Sequence, residues 1–205
     1  MIRTLFFVLA FIPAAAQSVS FNCAIATSQV ERLICASSEI SRLDDTLSQI
    51  FDFELEQEES FPGLKSTQKT WLARRNTCTD VNCIKYRYEQ RIAEIACSPK
   101  SRMIVSAIGS NQCAYFSLLI LDRELSSLNE RYDKRVSELT NNPEYTKETL
   151  LAERKAWISY RAARCSLHGA TEGGSDGWKN AFAGLCEVDE TEKRIARFKH
   201  ELVEK

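Results

Sequence analysis

The stretch Glu153-Arg154-Lys155-Ala156-Trp157-Ile158-Ser159-Tyr160-Arg161-Ala162-Ala163-Arg164-Cys165 decides the fold, because it occurs twice. Its earlier, altered echo is Gln68-Lys69-Thr70-Trp71-Leu72-Ala73-Arg74-Arg75-Asn76-Thr77-Cys78. Each copy has a Trp, an Arg four residues on, and a Cys near its end. In a helix, positions i and i+4 share a face, so Trp71 lies over Arg75 and Trp157 over Arg161. This is a packing signature and implies no bond-making chemistry.

Outward from these segments, the two halves of the chain align. Leu43-Asp44-Asp45-Thr46-Leu47 matches Leu121-Asp122-Arg123-Glu124-Leu125, and Glu89-Gln90-Arg91-Ile92-Ala93 matches Glu192-Lys193-Arg194-Ile195-Ala196. The order repeats: an L-D-x-x-L helix, a Trp helix ending in Cys, and an E-x-R-I-A helix. Apolar residues recur at helical spacing throughout, as in Leu118, Leu121, Leu125, Leu128 and Tyr132, and strand-like alternation is absent. Asp80 is a predicted N-cap, and Asn142 followed by Pro143 a helix restart. The expected fold is all-α: two disulfide-stapled helical-hairpin units in tandem, at 17–98 and 111–205, joined by a connector at 99–110.

Residues 1–16 are read as a secretory signal peptide. Arg3 supplies the charge, residues 5–12 an apolar run, and Ala14-Ala15-Ala16 the small-residue cleavage site. The run is short for a membrane span, and no later segment approaches the required length. The expected location is a periplasm or the cell exterior. Charge is nearly balanced, with 9 Lys/Arg against 12 Asp/Glu over residues 17–97 and 17 against 16 over residues 98–205. Neither half has the basic excess of a nucleic-acid binder.

All eight cysteines, Cys23, Cys35, Cys78, Cys83, Cys97, Cys113, Cys165 and Cys186, follow the signal. An even number in an exported chain implies disulfides, although eight cysteines allow 105 connectivities. Because each Trp segment ends in a Cys with another near the next helix, the preferred pairing is local: 23–35, 78–83, 97–113 and 165–186. A metal site has little support, since no C-x-x-C occurs and His168 and His200 are far apart.

The opening Phe21-Asn22-Cys23, then Val30-Glu31-Arg32-Leu33-Ile34-Cys35, then L-D-x-x-L and the Trp-Arg-Cys segment resemble the LprI-like lysozyme-inhibitor family of secreted bacterial proteins. The second half resembles it too, including the loop Glu172-Gly173-Gly174-Ser175 after Cys165 and the returning Cys186, without a counterpart of Cys35 beside Cys113. The resemblance implies a small all-α fold held by disulfides, and binding to lysozyme-type muramidases.

Candidate functional residues follow. Trp71 and Trp157 are expected in the core, with Arg75 paired to Asp44 and Arg161 to Asp122, because an Arg held on apolar surface needs a carboxylate. Glu54, Glu56, Glu58 and Glu59 form an acidic run, either a solvated helix end or a patch that steers a basic partner. The loop 167–178 is the candidate partner-binding surface. Gly173 and Gly174 permit close backbone approach, Glu172 and Ser175 offer polar contacts, and a 165–186 bridge would hold the ends. The alternative is a plain interhelical turn with Ser175 or Asp176 as cap. No catalytic residues, cofactor or metal are assigned: there is no G-x-S-x-G elbow, the cysteines are committed, and carboxylate pairs such as Asp44-Asp45 do not converge. The expected function is a protein-binding module, a lysozyme inhibitor or envelope-protection factor acting by cleft blocking. A structural or adaptor role in the envelope is the alternative.

Overall fold

The computed structural model describes residues 19–56 and 61–203, so the signal-peptide segment 1–16 and the pair Glu58 and Glu59 lie outside the described residues. After a 3-10 turn at Cys23–Ile25 come α1 (Gln29–Ala36), α2 (Ser38–Leu55), α3 (Leu64–Arg75) and α4 (Val81–Ala96). A second 3-10 turn, Met103–Val105, leads into α5 (Ala107–Glu138), α6 (Pro143–Glu172) and α7 (Asp176–Val203). No strand occurs among the described residues, as the helical periodicity implies.

The helix starts are chemically defined. Ser28 and Glu31 close a capping box at α1, Asp80 accepts from the Cys83 N–H at 2.9 Å at α4, and Asn142 caps α6 with Pro143 in the first turn. Each side-chain acceptor satisfies an N–H that the helix itself leaves unpaired.

Two cores follow the chain order. The first gathers Ile34, Ile40, Leu47, Trp71, Ile84, Tyr88 and Ile92 from α1–α4 and takes in Phe116 from α5. The second is smaller, with Leu125, Leu128, Ile195 and Phe198 between α5 and α7. The long α5 therefore bridges both: Leu119 and Ile120 pack on the first core, Leu121 and Tyr132 on the second. An ion pair between buried Glu89 on α4 and Arg123 on α5 ties the halves further.

The four disulfides join Cys23 to Cys35, Cys78 to Cys83, Cys97 to Cys113 and Cys165 to Cys186, the local pairing expected from the repeat. Within the segment expected as a connector, 99–110, a 3-10 turn spans Met103–Val105 and α5 begins at Ala107 with Ser106 as its cap. Cys113 does have a relation to Cys35: each stands eight residues before the Leu of its L-D-x-x-L. In that register Cys97–Cys113 occupies the place of Cys23–Cys35. Removing the link across the last hairpin, with Cys165 and Cys186 both changed to Ser, is expected to cost about 3 kcal/mol through the freed loop entropy. Urea denaturation of the double variant against the oxidised protein measures it.

The loop expected at 167–178 is mostly helix. α6 continues through His168 to Glu172, and only Gly173, Gly174 and Ser175 separate it from α7. Gly169 is not a breaker: a Cβ there would stand 2.2 Å from the Lys179 carbonyl oxygen, so this glycine lets α6 and α7 touch.

Candidate functional site

In the first half, the Trp helix is locked by a buried relay. Asp44, 4 % exposed, accepts the Tyr88 hydroxyl at 2.6 Å and the Ser20 N–H at 2.6 Å, and the Arg75 guanidinium donates to the Tyr88 oxygen at 2.8 Å. The expected direct Arg75–Asp44 pair is thus replaced by one with a phenol between, because Tyr88 fills the space. Burial, reinforced by the Asp44 charge, pushes the Tyr88 phenol far above its ordinary value, so it stays a donor. Trp71 packs edge-on to Tyr88, and its indole N–H donates to the Arg87 carbonyl at 3.0 Å. Trp71, Arg75 and Asp44 are all buried.

In the second half the matched contact is built from a different residue. Thr191 stands where Tyr88 stands, one place before the E-x-R-I-A segment. Its short hydroxyl accepts from Arg161 at 2.8 Å and leaves room for Arg161 to reach Asp122 directly at 3.0 Å. The expected Arg161–Asp122 pair is present. The expectation of a core position is not met, however: the Arg161 side chain is 13 % exposed, that of Asp122 is 50 % exposed, and Trp157 is only half-buried. The Arg161 and Arg194 guanidiniums lie over the Trp157 ring at 4.8 and 4.5 Å from its centroid. Arg194, itself buried, also makes two hydrogen bonds to Glu153, at 2.8 and 2.6 Å. Those bonds hold the Glu153 carboxyl below its ordinary range. Trp157 therefore lines a groove of about 220 Å³ with Leu125, Asn129 and Ile158.

That groove opens onto an unusually bare helix. Of the thirty residues of α6, only Cys165 and Gly169 are buried. Leu151, Ile158, Tyr160 and Leu167 are all more than half exposed. Ala152, Ala156, Tyr160, Ala163 and Leu167 follow one another at intervals of three or four and are all exposed, so they form one outward stripe. Starting at Tyr145, 67 % exposed, the stripe runs for about 33 Å at the helical rise. The sequence carried a trace of this, since apolar side chains in α6 surround the helix rather than fill one stripe, leaving more than one neighbour can cover.

The stripe ends at the expected partner-binding residues. Glu172 closes α6 and pairs with His168 at 3.8 Å. Gly173 and Gly174 turn the chain with φ of 79° and 85°, the left-handed region where only glycine is unstrained. Ser175 is exposed and directly precedes α7, its carbonyl accepting from Lys179 N–H at 3.0 Å. The acidic run fares differently. Glu54 is 1 % exposed and accepts from the Ser101 hydroxyl at 2.6 Å, so it clamps the 101–103 turn and cannot steer a partner. Glu56 is exposed.

No helix among the described residues is long and apolar enough to cross a membrane, and no group of His, Cys, Asp or Glu among them could hold a metal ion. Compared with known proteins, residues 97–198 match the family described as lysozyme inhibitor LprI. The match begins at Cys97 and covers α5, α6 and nearly all of α7. Neither a curated protein nor a solved structure matches the chain.

Proposed function

We propose, for a chain that belongs through residues 97–198 to the LprI lysozyme-inhibitor family, that it is exported and blocks the cleft of a muramidase without turnover. The observation that carries this reading is the outward stripe of α6, which presents Tyr145, Ala152, Ala156, Tyr160, Ala163 and Leu167 to solvent instead of burying them. A contiguous apolar face of this length on a folded chain is the usual mark of a protein partner. The tip formed by Glu172, Gly173, Gly174 and Ser175 extends that face with backbone free to approach closely, and it is the part we assign to the cleft. Export is supported by the leader-like 1–16 segment and by four disulfides, which persist in oxidising compartments.

We also read the chain as two tandem units. In support, Arg75 with Tyr88 and Arg161 with Thr191 are the same contact at matched positions. We then read the second unit as starting at Cys97, a reading that the start of the family match supports.

The test is a turbidity assay with the mature oxidised protein, a c-type lysozyme and bacterial cell walls. Lysis is expected to slow in proportion to inhibitor and to stop near stoichiometric addition. Undiminished lysis at large molar excess, with disulfides verified, would sink the inhibitor reading and leave the envelope-adaptor role in its place.

A further inference from the structure

The outward face of α6 has an equivalent on α3, and there its chemistry is inverted. In the register set by Trp71 and Trp157, Ala152, Ala156 and Tyr160 correspond to Ser66, Thr70 and Arg74. With Arg87, Gln90 and Arg91 of α4, these residues line a groove of about 420 Å³ walled by Trp71. Three guanidiniums meet one carboxylate there, Glu94, although this half of the chain carries 9 Lys/Arg against 12 Asp/Glu.

The three arginines are not equally committed. Arg91 is buried and fully used, donating to Gln68 Oε1 and Thr67 Oγ1 at 2.9 Å each and pairing with Glu94 at 3.1 Å. The Arg87 guanidinium has only a 3.4 Å bond to Gln90 Oε1 among the described residues. The exposed Arg74 guanidinium makes no hydrogen bond or ion pair among them. In the second half the same problem is solved internally: Glu153, in the place of Thr67, binds both Arg194 and Arg197. The first half lacks that acid and leaves its positive charge unspent. The Ser66 and Thr70 hydroxyls donate to the Gly63 and Ser66 carbonyls, so their oxygens remain as acceptors.

We propose that this groove binds an oxyanion, phosphate or carboxylate, carried on a hydroxylated polymer. Arg74 and Arg87 contact the oxyanion, for which the planar guanidinium fork is the best-matched side chain. The Ser66 and Thr70 oxygens accept from the polymer's hydroxyls. Arg91, held in place by its three partners, keeps the floor of the groove positive. One Trp helix thus faces an anionic polymer and the other a protein. The anion site stands whether or not α6 engages a muramidase.

Calorimetric titration of the mature oxidised protein with inorganic phosphate, glycerol phosphate and an oligogalacturonate tests this. At least one probe is expected to bind at low ionic strength, more weakly as salt is added. Its binding perturbs the Trp71 indole N–H resonance, which reports on the Arg87 carbonyl beside the groove. Arg74→Gln and Arg87→Gln should each weaken binding roughly tenfold, while Arg164→Gln on the exposed surface of α6 leaves it unchanged. All three variants are expected to keep the parent melting temperature, since none of these side chains supports the core. Binding of the phosphate probes alone identifies a phosphate polymer, and binding of the uronate alone an acidic glycan. Failure of every probe to bind the parent protein overturns the proposal, as does undiminished binding in both Arg74→Gln and Arg87→Gln.

Discussion

Asp44→Ala is expected to destabilise the protein by about 3–5 kcal/mol, because it removes the one carboxylate on which a buried network converges. Three donors lose their acceptor or its charge at once. The Tyr88 hydroxyl and the Ser20 N–H bond it directly, and Arg75 depends on it through the Tyr88 oxygen. Arg75 is itself 8 % exposed, so no solvent replaces the missing charge. The fall in melting temperature should be on the order of 10 °C for a chain of this size. The molecule contains its own control. Asp122 is the matching residue in the second half, bonded directly by its arginine at 3.0 Å but with a side chain 50 % exposed. Asp122→Ala is expected to cost less than about 1 kcal/mol, the range of solvated ion pairs. Equal losses at the two positions, in parallel denaturant melts, would show that burial does not set the cost of this contact.

Tyr160→Asp combined with Leu167→Asp is expected to abolish muramidase inhibition, weakening it by at least about 100-fold, with stability within about 1 kcal/mol of the parent. Both side chains are more than half exposed, so the fold gains little from them. In a partner interface they would be the apolar anchors, and two carboxylates would have to be desolvated against the partner instead. Tyr160 and Leu167 stand two turns apart on the outward stripe, and Leu167 lies one to two turns before the Gly173 tip, so the pair occupies the end of the proposed contact nearest the tip. The readouts are lysis kinetics and a thermal melt on the same preparation. Parent-like inhibition by the double variant would place the partner elsewhere, and a large drop in melting temperature would show that this face packs within the chain.

Much of the fold was legible in the residues. The Trp segments, the L-D-x-x-L and E-x-R-I-A helices and the Asn142-Pro143 restart are local patterns, and the local pairing of all eight cysteines follows the same repeat. The site was less legible. Gly169 looks like a loop signal beside Gly173 and Gly174, yet it is helical and marks where two helices touch. Glu54 looks like one of several surface acids, yet it is the one turned inward, onto Ser101. Neither outcome depends on the residue's own neighbours in sequence.

The amino-acid sequence by itself determined what acts over a few residues: helix starts and periodicity, and the repeated Trp-to-Arg spacing. Tertiary structure alone decided which of the two Trp helices is core and which is surface. One difference at matched positions is Tyr88 against Thr191, residues 17 and 34 positions beyond their respective tryptophans. The phenol packs edge-on against buried Trp71, whereas the smaller Thr191 meets Arg161 and Trp157 stays half-buried. Burial depends on the volume of whatever packs opposite, so it emerges only when distant segments meet.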